Sequence, residues 1–371
     1  MIIRGYKYRI YPNNEQKALF EKHFGASRWI YNYGLERKIK EYQINKKTLS
    51  CFDLGKELPV LKTEKETSWL SEVNAQSLQV SLRSLDNAFK RFFREKKGFP
   101  SFKSKRSRKS FGIPQGNTVD FENNRASFIK IGTVKIKVSR TFTGRIIRAT
   151  ISKSSANKYF VSYLVETPEE PVKPKPVKEE TTIGIDLGLK DFAVTSNGEK
   201  IPAPKFFRES EKRLAVLQRK LSKKRVGSTN RRKARLRVAR LHEKINNQRL
   251  DFLHKLSYRL THENQVQTIA LETLNVEGMR KNHNLAKSIS DASWSEFVNQ
   301  IEYKSLWYGK NVLRIGRFEP SSKICSCGEI NKDLKLSDRE WTCKKCNTTH
   351  DRDILASNNI KKFALKNIQG R

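Results

Sequence analysis

The chain has 371 residues and a mass of 43.1 kDa. A common domain has roughly 150 residues, so two or three folded units are expected. Lysine and arginine number 76 against 38 aspartate and glutamate residues, which gives a net charge of +38. This excess favours a polyanionic partner such as nucleic acid. A basic protein of the ribosomal type, or a merely soluble one, is the alternative reading.

The composition also excludes several classes of protein. No run approaches the roughly 18 apolar residues that span a bilayer, and the start MIIRGYKYRIYPN lacks the apolar core of a signal peptide. Of five cysteines, four lie close together near the C-terminus and Cys51 is far away. An odd, clustered set favours a metal site in a reducing cytoplasm over a disulfide framework. We therefore expect a soluble cytoplasmic protein.

The first half of the chain combines helical and period-two patterns. RGYKYRIYP predicts a strand, and Asn13 with Gln16 predicts the cap of a helix, or of a helix pair broken near Gly25. The stretch NAQSLQVSLRSLDNAFKRFF has apolar residues at helical spacing, which indicates core packing. Alternation from 119 to 165 predicts a small antiparallel β unit that the first strand joins. TPEEPVKPKPVKEE then predicts a stiff linker.

The second half alternates strands and helices. TTIGIDLGLKDFAVTSNG predicts two strands around a glycine bend, and VQTIALE predicts a third. Helices are predicted from Lys205 to Arg249, from Trp294 to Tyr308 and over DILASNNIKKFALKN. This order favours an α/β layer.

Two segments carry most of the positive charge. Lys205 to Arg249 holds 17 basic and 3 acidic residues, and a solvated helix face normally mixes signs. This field favours phosphate contact. The loop FPSFKSKRSRKS places phenylalanines beside cations, a combination that can stack unpaired bases while the cations follow the backbone.

The clustered cysteines form two pairs. Cys325 and Cys327 are spaced C-x-C, and Cys343 and Cys346 are spaced C-x-x-C. Two such pairs can close a tetrahedral zinc site, so we expect one structural Zn²⁺. Four unliganded structural cysteines are the alternative.

Three acids are candidates for a nuclease site. Asp186 ends the apolar strand IGID, Glu272 lies in TIALETL at the end of another strand, and Asp353 opens the last helix. Each could be a helix cap or a solvated edge. Together they could hold two Mg²⁺ or Mn²⁺ ions roughly 4 Å apart for phosphodiester cleavage.

These motifs make the chain recognisable as similar to a family. GASRWIYNYGLE, FPSFKSKRSRKSF, IGIDLGLKDFAVTS, LETLNVEGM, ASWSEF, PSSKICSCG, WTCKKC and HDRDILASNNI occur in the order seen in TnpB proteins of bacterial insertion sequences, relatives of the type V CRISPR effectors. The resemblance covers nearly the whole chain. The chain departs from many members at Leu355, where they have Asn, and in the short first cysteine pair.

The resemblance implies a multidomain fold that combines α/β, β-barrel and helical parts. The expected parts are the first strand of an oligonucleotide-binding-type β wedge domain (1–13), a helical recognition domain (14–115), the rest of the wedge (116–166), a Pro-rich linker (167–180) and a RuvC-like catalytic domain of ribonuclease H fold (181–371) with a zinc ribbon insert at about 321–350.

The resemblance also implies an activity. It predicts a transposon-encoded, RNA-guided DNA endonuclease of the bacterial cytoplasm that cuts target DNA next to a short flanking motif. Asp186, Glu272 and Asp353 would be the catalytic acids, and the partners would be a guide RNA from the transposon end and double-stranded target DNA. We expect a monomer in the RNA complex. The alternatives are an RNA-guided, cleavage-inactive DNA-binding repressor and a transposase that joins DNA ends itself.

Overall fold

The computed structural model describes residues 1–262, 265–335 and 337–369. Positions 263, 264, 336, 370 and 371 of the predicted catalytic domain, one of them in the predicted zinc ribbon, lie outside the described residues. The chain divides into two compact units, Met1–Glu169 and Glu170–Arg371. This division falls inside the segment 167–180 that the sequence predicts to be a linker.

The first unit, all of whose residues are described, combines helices with a β-sheet. Its elements are β1 (Ile2–Tyr11), α1 (Asn14–Asn45), α2 (Cys51–Thr63), a 3₁₀ helix (Ser68–Glu72), α3 (Ala75–Glu95), β2 (Lys109–Ile113), β3 (Asn117–Asp120), β4 (Arg125–Phe128), β5 (Gly132–Lys137), β6 (Arg145–Lys153) and β7 (Tyr159–Thr167).

Helix α1 begins where the sequence predicts and does not break. The Asn13 side chain accepts a hydrogen bond from the Gln16 backbone, and the Gln16 side chain accepts one from the Asn13 backbone, which completes a capping box. Of the two alternatives given by the sequence, the single helix is confirmed and the pair broken near Gly25 is wrong. Phe24 and Ala26 on either side of this glycine are buried, and their packing outweighs the roughly 1 kcal/mol that glycine costs in a helix.

The sheet of the first unit has the strand order β2-β6-β7-β1-β5-β4-β3. Strand β1 pairs antiparallel with both β5 and β7, so the prediction that the first strand joins the later β unit is confirmed. Strand β2 also belongs to this sheet, through its pairing with β6. After α3 the chain therefore returns to the sheet at Lys109, before the predicted boundary at 115/116.

The described residues of the second unit alternate between strands and helices. Their elements are β8 (Thr182–Asp186), β9 (Asp191–Thr195), β10 (Lys200–Pro202), α4 (Phe206–Ser222), α5 (Thr229–His262), β11 (Thr268–Glu272), α6 (Val276–Met279), α7 (Ala286–Ala292), α8 (Trp294–Tyr308), β12 (Asn311–Ile315), β13 (Glu340–Thr342), β14 (Thr349–Asp351) and α9 (Arg352–Gln369). The predicted helix from Trp294 to Tyr308 is confirmed. The helical region predicted from Lys205 is divided by a turn at Gly227, which has φ +85°.

Five of these strands form a mixed sheet in the order β10-β9-β8-β11-β12. Strands β8, β11 and β12 are parallel, whereas β9 and β10 are antiparallel to their neighbours. Strands β13 and β14 form a separate hairpin. Helices α5 and α8 pack on apolar residues of the mixed sheet, including Ile183 and Ile269, and α8 contributes Phe297 to this core. Among the described helices, none has the length and apolar character needed to cross a membrane.

Candidate nuclease and metal sites

Two of the three predicted acids end neighbouring parallel strands. Ile185 of β8 lies opposite Leu271 of β11, so Asp186 and Glu272 follow at the same edge of the sheet. Parallel strands present their carboxyl ends together, and both strands are buried up to this point. The register therefore aligns the two carboxylates.

The third acid lies on α9, which packs directly against β8. A Cβ atom at Gly184 would lie 2.0 Å from the backbone oxygen of Ser357, a distance that no side chain tolerates. Ser357 is four residues after Asp353, so the two share one face of the helix. The glycine lets this face approach β8, and the charge of Asp353 acts on Asp186.

The first turn of α9 is fixed by residues that the sequence analysis did not select. The Asp351 carboxylate accepts hydrogen bonds from the backbone N–H groups of Asp353 and Ile354, at 3.1 and 3.0 Å, as a helix cap does. Its other oxygen lies 2.5 Å from Nζ of Lys200 on β10. The capping signal was present in the D-R-D motif, but the lysine is 151 residues away in sequence.

The acids repel one another in the absence of a cation. Burial, together with the charges of Glu272 and Asp353, raises the pKa of Asp186 to about 8. Burial also raises the pKa of Glu272 to about 7. The Arg339 guanidinium contacts Asp353 at 3.3 Å, between Nη1 and Oδ2. Carboxylate oxygens are the ligands that Mg²⁺ and Mn²⁺ prefer, so this donor set fits divalent cations.

The four clustered cysteines converge on one point. Their sulfur atoms all lie within 4.8 Å of one another, and Cys325–Cys346 and Cys327–Cys343 are separated by 3.5 and 3.6 Å. A tetrahedral zinc ion with bonds of about 2.3 Å places its sulfurs about 3.8 Å apart. The cluster fits a metal ion.

A histidine and a leucine connect this cluster to α9. Nε2 of His350 lies 3.0 Å from Sγ of Cys325. At this distance the imidazole ring can hydrogen-bond to the cysteine and orient it as a metal ligand. Leu355, one of the two places where the chain departs from the resemblance, is buried with Cys325 and Cys343. The leucine therefore packs in the core of the cysteine insert. Cys51, which is far from this cluster in sequence, is partly buried.

Comparisons with known families cover most of the chain. Residues 160–283 match a family described as "Probable transposase", and residues 294–360 match a "Cas12f1-like, TNB domain". Residues 1–47 match a "Helix-turn-helix domain" and form β1 and α1 in this structure.

Similar proteins extend along nearly the full length. A "Putative RNA-guided DNA endonuclease" of Streptomyces pristinaespiralis is 38% identical over 361 residues, which cover 96% of this chain and 88% of that protein. "Putative RNA-guided DNA endonuclease InsQ" of Escherichia coli K12 is 31% identical, over 96% of this chain and 91% of that protein.

The fold resembles a solved structure described as "Cryo-EM structure of the Cas12f1-sgRNA-target DNA complex". The TM-score is 0.59 at 15% sequence identity, and the match covers 97% of this chain and 98% of that chain. The fold is thus a multidomain one of the TnpB and Cas12 class. The chain belongs to the TnpB family of transposon-associated RNA-guided DNA endonucleases.

Replacing Asp186 with a neutral isostere should stabilise the metal-free protein. The pKa of Asp186 is about 8 in the folded state and 3.8 ordinarily, so this group's contribution to stability falls as the pH rises between these values. Because Asp186 retains partial contact with solvent, we expect the advantage of Asp186→Asn over the wild type to grow by about 1–2 kcal/mol from pH 5 to pH 8.

Thermal unfolding in EDTA at the two pH values measures this difference. Asp251→Asn, at an exposed acid on α5, is the matched control and should change stability equally at both. An advantage of Asp186→Asn that does not depend on pH would contradict the assigned repulsion.

The cysteine cluster should bind one metal ion per chain. Cys343→Ser removes one of two buried ligands, so elemental analysis should show loss of the metal, and hydrogen exchange over 321–350 should rise because so small an insert has little core of its own. Cys51→Ser is the control and should retain both the metal and the protection. A metal-free wild type purified without chelators would refute the site.

Proposed function

We propose that this chain is a transposon-encoded, RNA-guided DNA endonuclease in which Asp186, Glu272 and Asp353 hold two Mg²⁺ or Mn²⁺ ions. The observation that carries the proposal is electrostatic: the charges of Glu272 on β11 and Asp353 on α9, together with burial, raise the pKa of Asp186 on β8 to about 8, and burial raises that of Glu272 to about 7. Perturbed acids at the edge of a sheet are typical of a reaction site.

In this proposal, each group of helices or strands corresponds to one of the domains expected from the family. The helices α1–α3 form the recognition domain, and the seven-stranded sheet is the oligonucleotide-binding-type wedge. The five-stranded sheet with α9 is the RuvC-like domain. The segment 321–350 is a zinc ribbon whose Cys325, Cys327, Cys343 and Cys346 bind one structural Zn²⁺. The mixed sheet and the sulfur geometry support these assignments.

The chemistry of the site follows from its charges. Two divalent ions, when bound, activate water and stabilise the leaving oxygen of a phosphodiester. Asp186 and Glu272 hold the ions from a rigid sheet edge. Asp353 does so from a helix whose first turn is tied to Asp351 and Lys200. The chain thus orients its ligands through secondary structure and not through flexible loops.

The positive surface supports a guide RNA and target DNA as partners. On α4 and α5, Leu214, Leu241 and Ile245 form a buried apolar cluster, whereas most lysines and arginines of this region are exposed. These cations are free to meet phosphates. In the proposal the guide pairs with one DNA strand, the protein reads a short flanking motif, and the protein acts as a monomer in the RNA complex within a bacterial cytoplasm.

Removing any one acid should abolish cleavage and spare binding. Asp186→Ala, Glu272→Ala and Asp353→Ala should each reduce cleavage of guide-matched DNA by about a thousandfold or more, because metal binding needs all three. Guide-dependent DNA binding, measured by gel shift in EDTA, should persist because its phosphate contacts lie elsewhere. Asp251→Ala should cut normally. Robust cutting by Asp186→Ala would contradict the site, and a wild type that binds guided DNA without cutting it would indicate a repressor.

Guide RNA should be required for cleavage. RNA-free protein should not cut matched DNA. Activity should return when the protein receives an RNA whose 3′ segment matches a new target, the 3′ position of the guide being taken from the family resemblance. Affinity for the transposon-end RNA should fall steeply with salt, since each neutralised phosphate releases counterions. The measurement is cleavage with verified RNA-free protein. Sequence-matched cutting without RNA would contradict the guide requirement and would favour an ordinary nuclease or a transposase.

A further inference from the structure

The end of α3 carries apolar side chains that the core does not use. Leu78, Leu82 and Leu85 are buried, but the exposed fraction of the Phe93 side chain is 72%. Beyond the helix, Phe99 and Phe102 are 53% and 57% exposed. Isolated exposed aromatics are ordinary, whereas several close together usually mark a binding surface. We call Phe93, Phe99 and Phe102 the aromatic shelf.

The shelf is held in place by the structure around it. The Phe99 ring contacts Phe89 and Phe92 edge-on, with centroids 5.5 and 5.3 Å apart. The loop is then fastened to α1, because Asn32 donates to the Lys103 carbonyl at 2.9 Å and accepts from its N–H at 2.8 Å. Rings that are ordered before a ligand arrives lose little entropy on binding.

A cationic cavity of about 210 Å³ adjoins the shelf at Lys103. Arg28, Arg108 and Arg148 line it together with serine hydroxyls, and no acidic side chain is among its lining residues. Within the described residues none of these arginines pairs with a carboxylate, whereas neighbouring Lys109 contacts Glu21 at 2.5 Å. Free guanidinium groups beside hydroxyls suit a phosphate.

We propose that the aromatic shelf and this cavity together bind unpaired nucleotides, with bases stacked on the rings and phosphates in the cavity. The basic residues around the shelf argue for this occupant over a second copy of the equally basic chain. The segment 90–97 has five basic residues and one acid, Glu95, which pairs with Arg91. The proposal rests on the proposed nucleic-acid function but is independent of the nuclease site.

Binding of 20-mer oligonucleotides to the full chain tests the proposal. Oligo-U and oligo-dT containing 2-aminopurine are titrated in EDTA, so that cleavage plays no part, and the two arms distinguish RNA from DNA as the source. Phe93→Leu with Phe102→Leu keeps apolar bulk and removes the stacking faces. We expect about fivefold weaker binding or more per ring and reduced quenching of 2-aminopurine, with the salt slope unchanged.

Two further variants complete the design. Phe52→Leu, at a phenylalanine of α2 that is 77% exposed, is the matched control and should bind as the wild type does. Arg28→Gln with Arg108→Gln should instead reduce the salt slope by about 0.7 for each lost phosphate contact.

Two results would overturn the inference. One is unchanged oligonucleotide affinity and quenching in the phenylalanine variants. The other is loss of self-association by these variants in sedimentation with oligonucleotide binding intact, which would make the shelf an interface between copies. Neither result depends on cleavage. Failure of the nuclease proposal would appear only in the variants of the three acids.

Discussion

A Cβ atom on residue 184 would meet the backbone of α9 at 2.0 Å, so α9 can lie on β8 only because this residue is glycine. That contact determines where Asp353 lies relative to the strand that carries Asp186. Asp186 lies two residues further along β8, and Asp353 lies one helical turn before the point of contact. Any side chain at 184 would push the helix, and the third carboxylate with it, away from the other two. The sequence I-G-I-D thus encodes both an acid and the space that its partner needs.

The acids are held together against their mutual repulsion. Such a cluster costs stability in the metal-free protein, and sites that bind cations commonly accept this cost because the ion removes it. The positive charge of the rest of the protein also favours binding of a negatively charged substrate near these acids. A net charge of +38 attracts phosphates to the protein, while the negative charge of the three acids is confined to half-buried groups that divalent ions would neutralise. In the proposed function, substrate binding and metal binding therefore use opposite charges at different residues.

Sequence patterns predicted the elements of this site better than its geometry. Asp186 and Glu272 were identifiable because each ends an apolar strand, and burial along β8 and β11 agrees with that pattern. The register between them depends on long-range pairing. The Lys200–Asp351 contact joins residues 151 positions apart, and no local signal announces it. Whether α1 breaks near Gly25 stayed open in the sequence because the cost of a glycine is local, whereas the packing that offsets it comes from the rest of the unit. The role of Leu355 could not be predicted either, since its partners belong to the cysteine insert.

The cysteine insert and the helix that carries Asp353 are joined directly and contact each other. Strand β14 of the insert ends at Asp351, and α9 begins at the next residue. His350 contacts a cysteine on one side of this junction, Asp351 caps the helix within it, and Leu355 packs back into the cysteine cluster from the second turn. Arg339, just before β13, contacts Asp353 itself. A metal ion that orders the four sulfurs would consequently also order the start of α9. The cysteine insert, which has too few apolar residues to fold alone, and the helix that carries Asp353, the proposed third ligand, would then form in a single step.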